Sequence, residues 1–239
     1  MELRWAKKLL LTGGVLLVPV FALVTSVVFW PGVLLKAYSW YMCLSQGVAV
    51  RYSHSASYRF CYSTRGTPGC ATPTLLLLHG FSTSKEMWLS VIKYLPRNLH
   101  VVCLDMPGHE GTSRTGAEDY SIQGQARRVH QVRANFLRGL LANRIPNNNF
   151  YREVFLAIIG EKSRHSLQQH LNLITAPLQV IWGKNDQILD VSGAAVIQKV
   201  LPHCQVDLLD NCGHAIALER PRKFANLVLD FHNKAKKQA

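Results

Sequence analysis

Residues 74–80, "TLLLLHG", form an unbroken apolar run of strand length that ends in a glycine. With no polar alternation the run has no face to give to water, which suits a central parallel strand buried on both sides. The same pattern recurs in "HVVCLDMPGHEGTS" (100–113), "APLQVIWGKND" (176–186) and "CQVDLLD" (204–210), each an apolar run followed by a polar or glycine-bearing loop. Between them, "SKEMWLSVIKYL" (84–95) and residues 121–141, 151–170, 192–201 and 221–232 read as helices. Upstream, "GVAVRYSHSASYRFCYSTRG" (47–66) alternates as a hairpin does and closes in the turn-rich "RGTPG". Strands alternating with helices predict an α/β fold with a mostly parallel sheet and helices on both faces. In such sheets the working residues sit in loops beyond the carboxyl ends of the strands. His79, His109, Asp186 and His214 all fall in those loops.

The 239 residues suffice for one domain and an appendage. Six cysteines form neither a C-x-x-C pair nor an evenly spaced framework, which argues against a zinc module and against a secreted disulfide scaffold. Neither metal nor cofactor is expected. The net charge of +13 comes from scattered basic residues without interleaved aromatics, so nucleic acid is not the expected partner. A membrane surface is, because basic residues near anionic headgroups gain on the order of 1 kcal/mol each.

Residues 9–35, "LLLTGGVLLVPVFALVTSVVFWPGVLL", carry no charge and exceed the roughly 20 residues that a helix needs to cross a bilayer. A short segment, 1–8, precedes them with Arg4, Lys7 and Lys8; Lys36 follows, with Tyr38, Trp40 and Tyr41 as interfacial aromatics. The run is too long for a cleaved signal peptide and lacks a small-x-small cleavage site, so it reads as a single-pass transmembrane signal-anchor. The absence of any N-x-[ST] sequon fits a main domain, 47–239, that faces the cytosol.

In order, "LLLLHGFSTSKEMW", "DMPGHEGTS", "VIWGKNDQILD" and "NCGHAIALERP" resemble the α/β-hydrolase family, and within it the membrane-anchored monoacylglycerol lipases. The resemblance covers nearly the whole chain. It implies an acylglycerol lipase that hydrolyses monoacylglycerol and related lipid esters to fatty acid and glycerol, at endosomal, lysosomal or plasma membranes. It makes Asp186 the acid of a catalytic triad, His214 its base, and the backbone N–H of Phe81 one oxyanion-hole donor. Asp190 is the other carboxylate in that loop, and His109 reads as shaping the "PGHEG" turn.

One part of the family pattern is absent. The nucleophile belongs in G-x-S-x-G on a strand-to-helix turn, and no two glycines of this chain stand four residues apart. Ser45 heads the lone S-x-G but precedes the sheet; Ser82 and Ser84 read as helix caps, and Ser113 as a loop serine. "QARRVHQV" (125–132) resembles the helix before the nucleophile strand, and "FLRGLLANRIPNNNFYREVF" (136–155) the segment after the lid. Near 133–135, roughly a hundred residues of the family pattern, the elbow included, have no counterpart. Two expectations follow. The chain is catalytically incompetent as written, and "TLLLLHG" and "LQVIWG" face each other across two missing strands, either pairing directly or leaving apolar edges open. The competing readings are a non-catalytic, membrane-anchored short form that binds lipid or protein, and an epoxide hydrolase or dehalogenase with Asp at the missing elbow.

Overall fold

The computed structural model describes residues 15, 17–26, 28–55, 58–68, 74–114, 119–135 and 171–238. The chain divides into two compact units, Met1–Ser45 and Gln46–Ala239. In the first, residues 17–26 are helical and helix α1 (Pro31–Gln46) begins on a proline, whose missing N–H costs nothing at a first helical position. Most apolar side chains of this unit are exposed, Phe21 at 71% and Trp40 at 68%. The expected span 9–35 lies partly outside the described residues, and among those described no helix is long and apolar enough to cross a membrane.

The second unit contains two sheets. The first joins β1 (Ala49–Ser55), β2 (Tyr58–Arg65), β3 (Leu75–Leu78) and β4 (Val101–Leu104) in the order β1-β2-β4-β3. The β1/β2 hairpin is antiparallel, β2 lies antiparallel to β4, and β3 runs parallel to β4. β4 is buried throughout, as its unbroken apolar sequence requires. Tyr58, Phe60 and Leu104 form the core on one face, covered by Val129 of helix α3 (Ile122–Asn135). That helix runs through 133–135; the expected helix 151–170 and the end of the one ascribed to 121–141 lie outside the described residues.

The second sheet pairs β5 (Gln179–Gly183) with β6 (Gln205–Leu209) in parallel. Leu171, Leu201 and Cys204 form its separate core, with Ile197 of helix α4 (Ser192–Val200) packed on it. Among the described residues β3 and β5 do not pair, so the apolar edges stay open and "TLLLLHG" is an edge strand instead of a central one. Leu76 and Leu78 are 41% and 39% exposed in consequence. They border an apolar groove of about 490 Å³ with Met106, Ile122, Ala126 and Val129.

Helices join the two halves. The segment expected as one helix over 84–95 is a 3-10 turn, Lys85–Trp88, followed by a single α turn, α2 (Leu89–Ile92). It is short because Asp105 accepts the Lys85 N–H and Arg65 satisfies the carbonyls of Ile92, Leu95 and Pro96, so side chains close both ends. α2 packs on α5 (Ile216–Glu219) and α6 (Pro221–Gln238), which continues past the expected end at residue 232. Ser90 Oγ donates to the Ala217 carbonyl at 2.8 Å, and the Trp88 and Phe224 rings lie 5.9 Å apart.

Candidate active site

Two loops, after β5 and after β6, bring Asp186 and His214 together. Backbone bonds from Lys184 N to Leu209 O and from Asn185 N to Cys212 O, both 2.9 Å, tie the loops to each other. The approach depends on Gly183, where an added Cβ would lie 2.3 Å from the Gly213 carbonyl oxygen. His214 Nδ1 stands 2.9 Å from Asp186 Oδ2, with the carboxylate side chain 5% and the imidazole 50% exposed. The other carboxylate oxygen, Oδ1, accepts the N–H groups of Ile188 and Leu189 at 2.8 and 3.0 Å. Desolvation, the largest single influence on Asp186, works to raise its pKa, but the Leu189 N–H, the His214 ring and the Ile188 N–H together hold it below the ordinary carboxylate value. A carboxylate only accepts, so Nδ1 carries the proton of the neutral ring and Nε2 keeps a lone pair. That is the state in which an imidazole can take a proton from a hydroxyl.

Sequence reasoning missed the residue that fastens this loop. Glu219 accepts the N–H groups of Gly213 (2.7 Å) and Ala215 (3.0 Å), one on each side of His214. The available signal was an acidic residue five positions past the histidine, within reach of the turn that it closes. Arg220 adds a bond to the Asn211 carbonyl at 2.7 Å, across from an Asn211 held at φ 51°.

The loop after β3 places Phe81 at a turn, 39% exposed, next to Ser82 at φ 61°, a left-handed conformation that a serine adopts only under constraint. His79 is buried behind it: Nδ1 lies 2.7 Å from the Gly80 carbonyl, and Nε2 accepts the Met106 N–H at 3.0 Å. His109 is buried too, its ring 5.0 Å from that of His79 and 6.1 Å from that of Phe81. Asp105 ties this loop to the one after β4 through Lys85 Nζ at 2.8 Å and the Gly111 N–H at 3.3 Å.

Three of the serines set aside on sequence grounds, Ser45, Ser84 and Ser113, are engaged elsewhere. Ser113 Oγ accepts the Arg59 N–H at 2.8 Å, and Ser45 Oγ donates to the Met42 carbonyl. Ser84 occupies the N-cap position but makes no side-chain cap bond; its hydroxyl donates to Glu86, because Asp105 already serves the Lys85 N–H. Asp190 accepts the Ser192 N–H at 2.8 Å at the start of α4, away from His214. Among the described residues no group of three His, Cys, Asp or Glu could hold a metal ion.

Parallel strands whose following loops join a carboxylate to an imidazole, on a fold that begins with a hairpin, define an α/β hydrolase. Residues 73–139 match the family model described as the alpha/beta hydrolase fold. The chain belongs to the α/β-hydrolase family. It is 38% identical to the monoacylglycerol lipase ABHD6 of Homo sapiens and to monoacylglycerol lipase abhd6-A of Xenopus laevis, each over 97% of this chain and 96% of the relative. Those alignments run over 324 positions, against 239 residues here. Among solved structures, a bacterial membrane phospholipase A described as a virulence factor shares the fold at TM-score 0.67, with 23% identity and coverage of 96% of this chain and 99% of that one.

Proposed function

We propose that the chain is the frame of a membrane-anchored serine hydrolase of the monoacylglycerol lipase type, and that as written it cannot form an acyl-enzyme. The observation that carries the first half is the His214–Asp186 pair at 2.9 Å in loops after parallel strands. In a complete site a serine hydroxyl attacks the ester carbonyl while His214 Nε2 takes its proton and returns it to the departing glycerol oxygen. Asp186 holds Nδ1, and the Phe81 N–H is one of two donors to the oxyanion. Water repeats the steps and releases the fatty acid. No cofactor enters.

The second half rests on the missing elbow. No G-x-S-x-G occurs, and the 324-position alignments leave much of the relatives' length facing gaps. In the purified chain a fluorophosphonate probe is expected to label no serine, and monoacylglycerol is expected to stay intact. Labelling of a single serine would overturn incompetence; an esterase-active product of a transcript with extra codons near 133–135 would support the hydrolase frame.

Residues 9–35 anchor this hydrolase in the bilayer, where its apolar substrate partitions, with the domain 47–239 facing the cytosol. Support comes from the uncharged run and the exposed apolar residues of the first unit, Trp30 and Trp40 among them. The chain is expected to stay in the membrane pellet after alkaline carbonate, and a chain starting at residue 47 to leave it. A second reading, a non-catalytic short form that binds lipid or protein, is favoured by the open β3 edge and its groove.

A further inference from the structure

The buried cation beside the Phe81 loop has a use that the triad does not supply. Lys85 is 6% exposed and its Nζ meets Asp105 Oδ2 at 2.8 Å and Glu86 Oε1 at 3.0 Å. Asp105 is fully buried, and its other oxygen, Oδ1, lies 3.9 Å from His79 Nε2. Such a carboxylate draws a proton onto a neighbouring imidazole. His79 nevertheless has the geometry of a neutral ring. A backbone N–H can only donate, so Nε2, which receives the Met106 N–H, carries no hydrogen. A carbonyl can only accept, so Nδ1, at 2.7 Å from Gly80 O, carries one. The 3.9 Å approach is proximity without an ion pair.

We propose that Lys85 is a positioning residue for the Phe81 N–H: by neutralising Asp105 it keeps His79 as the neutral Nδ1–H imidazole that holds the Gly80 carbonyl. The Gly80–Phe81 peptide is planar and trans, so fixing its carbonyl on the His79 side turns the Phe81 N–H to the opposite side. Thr83 Oγ1 adds a second bond to the same carbonyl at 3.2 Å. If Lys85 lost its charge, a protonated His79 would set Nε2–H against the Met106 N–H, two donors face to face. The ring would then turn toward Asp105 and release the peptide. The groups facing His79 are Asp105, Glu86 and Lys85, with His109 against its ring. Burial, the largest influence, also holds His79 below the ordinary histidine value, in line with the geometry.

The consequence for catalysis rests on Phe81 being an oxyanion donor, but the test reads the His79 ring and the Phe81 amide and needs no activity. Side-chain and backbone 1H–15N spectra of the full 239-residue chain are recorded across a pH series, for the unmodified chain, for Lys85→Met and for Lys85→Met combined with Asp105→Asn. The unmodified chain is expected to carry its His79 proton on Nδ1. In Lys85→Met the His79 midpoint is expected to rise by about 1 to 3 pH units, with the Phe81 amide signal displaced. The combined variant is expected to bring both back, an outcome that lost packing alone would not produce. An Nε2–H tautomer in the unmodified chain, an unmoved midpoint in Lys85→Met, or a combined variant matching the single one would each overturn the proposal. Where Lys85→Met does not fold, Asp105→Asn alone is expected to lower the midpoint, and a rise or no change overturns it. Failure of the hydrolase reading would appear in the fluorophosphonate and transcript experiments and would leave the His79 result standing.

Discussion

Three histidines, His79, His100 and His109, have pKa values lowered by burial from the ordinary value of 6.5. Above that value neither the folded nor the unfolded chain protonates them, and their contribution to stability is complete. As pH falls below 6.5 the unfolded chain binds protons first, so stability declines until pH reaches the lower folded values. A urea midpoint that falls between pH 7 and 5 is the expected outcome, and His109→Gln should flatten the slope. Desolvation, the largest single influence on Glu86, raises its pKa, but Lys85 and Ser84 together outweigh it and hold the group low, which adds a loss further down, below the ordinary glutamate value of 4.5. At Gly183 the constraint is steric: alanine would press on the carbonyl oxygens of Gly213 and Cys212. Gly183→Ala is expected to cost about 1 to 3 kcal/mol, read from urea unfolding, and to part the Asp186–His214 pair, read from the His214 ring signals.

At the level of elements, β3 is the exception to its own sequence. Four leucines in a row match a strand buried on both faces, yet Leu76 and Leu78 are exposed because no described strand lies beyond it. An open apolar edge is a template for pairing with other chains. Leu76→Lys and Leu78→Lys are expected to reduce light scattering and the void-volume fraction in size-exclusion chromatography, while changing stability by only about 0.5 kcal/mol each. The same element shows what a sequence can tell. Local patterns revealed the hairpin, β4, β5, β6 and α4, because alternation and apolar runs are written in neighbouring residues. The resemblance singled out Asp186 and His214, which the fold brings within hydrogen-bond distance across 28 positions. The edge status of β3 was not legible in its residues, since it depends on a partner elsewhere in the chain. Glu219, Lys85 and Asp105 escaped notice for a related reason: each reads as an ordinary surface charge until the fold sets a donor opposite it.

Across the molecule, the two sheets share no hydrogen-bond ladder among the described residues, and each has its own core. Among the described residues the contacts that join them are helical: Ser90 on Ala217, Trp88 against Phe224, and α2 on α5 and α6. A sheet continuous from β1 to β6 would transmit the loss of any strand to its neighbours through the ladder. Two sheets that share no ladder among the described residues can open in turn. The order follows from burial. β4 is fully buried, whereas β5 and β6 are mostly half-buried, so the second sheet has less apolar surface to hold it closed. Native-state hydrogen exchange in rising urea is therefore expected to release the amides of Gln179–Gly183 and Gln205–Leu209 before those of Val101–Leu104. Merging of all three sets into one opening reaction, with a common free energy and a common urea dependence, would mean that the helical contacts couple the sheets as tightly as a ladder does.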